Sequence, residues 1–142
     1  MPEPQEPDAG PAVSLDEIDR AQCLELLGTT SVGRVAFLVE GRPVILPVNY
    51  AVDGETIVFR TAEDTVLNQV ALQAVAFEVD RIDETSRTGW SVLAQGVAQD
   101  VSQAIDTKSE RLRALALVSW APGQRHRWFG IKADVLTGRR LR

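Results

Sequence analysis

The spacing of apolar residues along the chain changes from a helical period to a strand period and back, and each change marks a new element. Residues 14–28, "SLDEIDRAQCLELLG", set Leu15, Ile18, Cys23, Leu26 and Leu27 on one stripe, which predicts an N-terminal helix. Ser14 with Glu17 has capping-box spacing, and Gly28 is suited to close the helix in a left-handed conformation. From residue 32 the period becomes two. "VGRVAFLVE" (32–40), "VILPVNYAV" (44–52) and "TIVFRT" (56–61) read as three strands, with a break at "GRP" and a hairpin signal at Asp53-Gly54.

The remaining pattern completes a mostly β chain. "DTVLNQVALQ" (64–73) predicts a short helix and "AVAFEVD" (74–80) a fourth strand. "GWSVLAQGVAQDV" (89–101) predicts a long fifth strand that Gly96 allows to bend. "QAIDTKSERLRALALVSW" (103–120) is helical in propensity and ends before Pro122-Gly123; "HRWFGIKADVLTG" (126–138) supplies a sixth strand. Six mostly antiparallel strands with few helices favour a closed or partly closed barrel, because closure removes exposed edges. Residues 1–13 are rich in Pro, Glu and Asp with little to bury, which predicts a disordered acidic tail ahead of a single domain, residues 14–142.

Composition narrows the function. At 142 residues the chain can bury one core without disulfide or metal. With 15 Lys and Arg against 20 Asp and Glu, its net charge of −5 argues against a nucleic-acid partner, which needs a basic face. No apolar run is long enough to span a bilayer, and the acidic N-terminus does not resemble a signal peptide, so a cytoplasmic protein away from membranes is expected. One cysteine and one histidine are too few for a structural zinc site, and Cys23 reads as a small buried hydrophobe.

The chemistry-bearing stretch is "RPVILPVNYAVDGETIVFRTAED" (42–64), which ends its second strand on Arg60-Thr61. From the residues alone, Arg60 is either a rim cation paired with Glu63 or Asp64 or a fork waiting for an anion. Neither Glu78 nor Asp80 stands out from an ordinary strand carboxylate, so no catalytic acid or base is named.

In order along the chain, "VGRVAF", "PVNY", "FRTA", "VAFEVD", "GWSV", "WAPG" and "TGRR" resemble the pyridoxamine 5′-phosphate oxidase-like family of flavin-binding split barrels, over residues 14–142. The resemblance implies a six-stranded antiparallel split barrel with an N-terminal helix and short connecting helices. It also implies a homodimer that holds two FMN molecules between its subunits. By the same resemblance Arg60 and Thr61 contact the ribityl phosphate, helped by the loop at Thr65 and Val66. Pro47, Val48 and Asn49 lie along the flavin ring, Trp90 and Ser91 open a strand beside it, and Trp120 and Arg125 arrive from the partner subunit. Family members often carry a cation directly after the position of Thr65. Val66 stands there instead, a loss worth about 1.5–3 kcal/mol of charged hydrogen bonding. The implied activity is flavin-dependent oxidoreduction of an unidentified small molecule. A non-catalytic carrier, a deazaflavin-dependent reductase and a chain with no cofactor are the alternatives.

Overall fold

The computed structural model describes residues 1–4 and 13–142; most of the segment read as a disordered tail lies outside the described residues. The elements run β1 (Leu15–Ile18), α1 (Arg20–Leu27), β2 (Val32–Val39), β3 (Arg42–Asp53) and β4 (Thr56–Thr61). A 3-10 turn (Val66–Val70), β5 (Ala74–Asp83), β6 (Thr88–Asp100), α2 (Thr107–Arg113), β7 (Arg127–Lys132) and β8 (Val135–Leu141) follow. All pairings are antiparallel, and six strands close a ring in the order β6-β5-β2-β3-β4-β7, with β7 returning to β6. The pair β8 and β1 extends the sheet outward from β6, outside the ring. The expected split barrel is therefore present, with two strands beyond the six. Among the described residues no helix is long and apolar enough to cross a membrane.

Alternation decides what the barrel encloses. Val35, Phe59, Phe77, Val92, Phe129 and Ile131 point inward and are fully buried. Phe59 stacks on Phe129 at 5.6 Å and Tyr50 meets Phe77 edge-on at 4.9 Å, the offset arrangements that aromatic quadrupoles favour. Outward residues of the same strands form rows that the ladders hold in register: Pro47, Arg34, Glu78, Leu93 and Thr137 in one, and Ile45, Ala36, Ala76, Gln95 and Val135 in the next.

Five local readings are corrected. Leu15–Ile18 is a strand, because pairing with Gly138–Leu141 of β8 outweighs local helix propensity. The helix starts at Arg20 and is capped by Asp19, five residues after Ser14; the Asp19 carboxylate accepts from the Gln22 amide at 2.9 Å. Gly28 ends it in right-handed geometry at φ −78°. The expected helix over 103–120 contracts to Thr107–Arg113, where Asp106 caps it through Ser109. Beyond it, Leu117 is buried without regular structure. The expected sixth strand is two strands, broken at Ala133-Asp134, where the register against the same edge of β6 shifts by one residue: β7 pairs with Ala98–Asp100 and closes the ring, and β8 pairs with Gly89–Gln95 beyond it. Gly96 lies at this break: a Cβ there would lie 2.1 Å from the Lys132 carbonyl oxygen, so only glycine lets β6 pass that backbone.

Candidate functional site

The end of β4 and the start of β7 lie beside the interior of β3 at one rim of the barrel. Tyr50 pairs with Phe59 and Arg60 with Trp128, so Asn49, Arg60 and Trp128 occupy one outward row. The Arg60 guanidinium lies 4.5 Å from the Trp128 ring centroid. It donates to the Arg125 carbonyl from Nε at 3.1 Å and Nη2 at 2.8 Å. Neither Glu63 nor Asp64 pairs with it among the described residues, so the rim ion pair allowed by sequence is replaced by a backbone contact.

Asn49 performs the matching task on β3. Its Nδ2 donates to the Ser31 carbonyl at 3.2 Å, and its Oδ1 accepts from the Trp120 amide at 2.8 Å. The segment carrying Trp120 and Arg125 is thus fastened to the rim at both of those residues. Trp120 is 71% exposed, although its backbone is pinned. The Arg125 side chain turns back to the Pro122 carbonyl at 3.4 Å.

The loop after β4 is built from hydroxyls and one amide. Thr61 is fully buried, and its hydroxyl hydrogen-bonds that of Thr65 at 2.7 Å. Asn68 Nδ2 donates to the carbonyls of Ala62, Glu63 and Thr65 at 2.8, 2.7 and 3.1 Å, drawing the loop into a tight curl. Its Oδ1 is buried without a partner among the described residues. Asn68 escaped the sequence reading, whose only available signal was an Asn inside an otherwise apolar helical pattern. Val66 opens the 3-10 turn, 40% exposed, where a longer cationic side chain would have room to extend.

The other expected residues separate. Pro47 is exposed on the outer face opposite Arg34, while Val48 faces inward at 8% exposure. Only the backbone of Val48 is therefore free to meet a ligand. On β6, Trp90 packs against the core from the inner side while Ser91 faces out opposite Asp80 and Arg139. Ser91 is three strands from Asn49 across β5 and β2, about 14 Å at the usual spacing, so it does not share the rim with Arg60.

On that outer face Arg34 Nη1 reaches Glu78 Oε2 at 3.5 Å and Asp80 Oδ2 at 3.3 Å. Burial pushes the Glu78 carboxyl up to about 7; the Asp80 carboxylate adds to the rise and Arg34 opposes it. Glu78 Oε1 is buried without a partner among the described residues. Glu78 is thus the carboxyl poised to exchange a proton near neutrality, a property its sequence context did not reveal. Cys23 is fully buried, with Sγ 3.7 Å from the Ile18 carbonyl, and burial raises its thiol. His126 is exposed and meets Gln124.

Comparison with known proteins agrees with this architecture. The chain is 32% identical over 131 residues to an uncharacterised protein of Mycobacterium tuberculosis, covering 88% of this chain and 84% of that one. Its fold is similar to the FAD-binding protein of Mycobacterium smegmatis, with TM-score 0.74 and 31% identity over 89% of this chain and 97% of that one. An FAD-binding protein of Mesorhizobium loti shares the fold at TM-score 0.72 and 20% identity, covering 92% and 99% of the two chains. Residues 19–140 match the profile of the pyridoxamine 5′-phosphate oxidase family, which spans every strand of the closed ring, and to that family the chain belongs.

Proposed function

We propose that this chain binds a flavin at the rim formed by β3, β4 and β7 and uses it to oxidise or reduce a small molecule. The carrying observation is that Asn49 bonds Trp120 and Arg60 bonds Arg125, two pairs distant in sequence on neighbouring strands, while Thr65 is held by Thr61 just past Arg60. The donor set suits a flavin phosphate. Two of the five guanidinium N–H groups of Arg60 are committed to Arg125, which leaves Nη1 for an anion, with the Thr65 hydroxyl nearby on the same loop. Thr61, fully buried, holds Thr65 in place. The bound flavin would supply the hydride or electron chemistry, and the chain would supply orientation and exclusion of water.

FMN is the proposed form, since its terminal phosphate matches a single guanidinium; the FAD-binding relatives make FAD the form to test beside it. A non-catalytic flavin carrier is the second reading, favoured by Val66 where a cation would tighten the phosphate site.

The proposed assembly is a homodimer in the cytoplasm. Ala36, Leu38, Ile45, Ala76, Val97 and Val135 form an uncovered apolar surface on the outer face of the sheet. A second copy is the partner a two-fold sheet contact brings, burying ~2,000 Å² in an obligate pair.

Titration of the flavin-free protein with FMN, FAD and a deazaflavin coenzyme, followed by fluorescence and calorimetry, tests the assignment. Saturable one-to-one binding of FMN or FAD that Arg60→Ala weakens supports it. Failure of both to bind overturns it.

A further inference from the structure

A cavity of about 450 Å³ opens on the outer face of β4, β7 and β6, at the end away from Arg60. Thr56 and Lys132 pair there across β4 and β7, four residues along β7 from Trp128 and so about 13 Å from it. Between the two ends α2 lies on the barrel wall, with Leu112 buried against Val58 and Val101, so the cavity is separate from the rim.

The walls are fixed before anything binds. Arg111 ties α2 to the Asp53 carboxylate at 2.7 Å, and Arg113 donates to the Val101 carbonyl. Gly130 keeps the floor low: a Cβ there would meet Leu112 at 3.4 Å and Thr56 at 3.5 Å, so a longer side chain would fill the space.

Three features give the cavity a chemistry. Thr56 is 4% exposed, yet its hydroxyl has no hydrogen-bond partner among the described residues, although buried hydroxyls ordinarily find one. Lys108 comes from α2 and Lys132 from β7, and neither forms an ion pair or hydrogen bond among the described residues. The carboxylate of Asp134 is unpaired in the same sense, whereas that of Asp106 is spent on the Ser109 amide and hydroxyl at 2.9 and 2.7 Å. A bare anion here would meet Asp134 and a bare cation would meet two lysines. Charges of both signs that line one cavity without pairing with each other match a ligand that brings both. Val101 and Leu112, with Val97 42% exposed beside them, add an aliphatic wall.

We propose that this cavity binds a small aliphatic zwitterion of the amino-acid type. Its carboxylate lies on Lys108, Lys132 and the Thr56 hydroxyl, its ammonium faces Asp134, and its alkyl part rests on the aliphatic wall. The site needs neither the flavin nor the second copy. Val97 also belongs to the apolar outer surface assigned to that copy, so the polar groups carry the assignment.

The test uses L-leucine as probe, with three controls that each lack one part of it: isocaproate has no ammonium, isoamylamine no carboxylate and glycine no alkyl chain. Binding to the full chain is read by calorimetry and ligand-observed NMR, without flavin and with saturating FMN. Leucine is expected to bind saturably in both conditions, with each control weaker by about ten-fold. Thr56→Val keeps the shape and removes the hydroxyl; Lys132→Met and Asp134→Asn remove one exposed charge each. Each variant is expected to weaken leucine by about three- to ten-fold and to leave FMN affinity as in the parent. No binding of leucine, equal binding of all four probes, or exposed-charge variants that bind like the parent overturn the proposal. Displacement of leucine by FMN in one-to-one proportion also overturns it, by assigning the cavity to the flavin.

Discussion

The Arg60 guanidinium grips the backbone carbonyl of Arg125 with two N–H donors, at 3.1 and 2.8 Å. The side chain that sequence would assign to an anion is thus first a fastening, which ties the segment before β7 to the end of β4. Any anion that docks here meets an Arg60 already oriented by the Arg125 carbonyl and the Trp128 ring, so little side-chain freedom is left to lose on binding.

Arg60→Ala is expected to weaken FMN by about ten- to a hundred-fold, the size of a charged hydrogen bond. It should also speed amide hydrogen exchange across residues 118–126, because the fastening is lost. Arg60→Lys keeps a charge but not the two-donor grip, so it should recover part of the affinity and little of the protection. Unchanged exchange in Arg60→Ala would show that the segment is held by other contacts.

Val66→Lys adds a cation at the first position of the 3-10 turn, where the side chain is 40% exposed. Fluorescence titration should show FMN binding tightened by up to about ten-fold, since a solvated charge recovers part of a charged hydrogen bond. Equal affinities in parent and variant would remove the phosphate from this loop.

Glu78 gives the fold a pH dependence whose sign is fixed. Its folded carboxyl titrates at about 7, above its ordinary 4.5, so the folded chain holds this proton more tightly than the unfolded chain. The stabilisation is complete below 4.5 and is lost as pH rises through 7. Glu78→Gln should flatten this part of the stability profile and make the variant more stable than the parent at pH 8, by about 1 kcal/mol once solvent screening of a partly exposed group is allowed for. Denaturant melts at several pH values read both effects, and parallel profiles for the two proteins would count against it.

Ala76→Arg places a long cation in the middle of the uncovered outer face, beside Ala36 and Gln95. The expected result is a folded monomer by sedimentation where the parent sediments as a dimer. A parent that is monomeric at micromolar concentration would remove the two-fold assembly.

Gly96→Ala tests the ring itself. A methyl group 2.1 Å from the Lys132 carbonyl oxygen cannot be accommodated without moving β6 or β7. A loss of about 2–4 kcal/mol in chemical denaturation is expected, within the range of severe overpacking.

The sequence made the ring legible because its strands announce themselves locally. The alternation in "VGRVAFLVE" and "TIVFRT" set both the strand assignments and the inward residues, and Gly96 stood where a bend was needed. What it concealed depends on partners far along the chain. Nothing in "LDEI" shows that β8 will pair with it, and nothing near Ala133 shows that the strand breaks there and shifts its register along β6. The site was legible as residue types and only partly as roles. Asn49 does meet Trp120 and Arg60 does meet Arg125, but Val48 turns inward, Ser91 stands three strands away, and Asn68 and Glu78 owe their importance to burial that no local pattern encodes.

Closure of the ring has a consequence for how the molecule is made. The seam of β7 joins residues 66 to 76 apart in sequence, from Thr61 with Arg127 to Thr56 with Lys132, and also meets Ala98–Asp100 of β6. A chain emerging from the ribosome can zip β2, β3 and β4 as neighbours, yet β4 and the end of β6 keep bare edges until residues 127–132 appear. Pairings of long sequence separation form slowly, and bare edges recruit other chains. The interval between synthesis of Asp100 and that of Lys132 is therefore the time when the nascent protein is most exposed to aggregation, and slower translation of that stretch should lower the soluble yield.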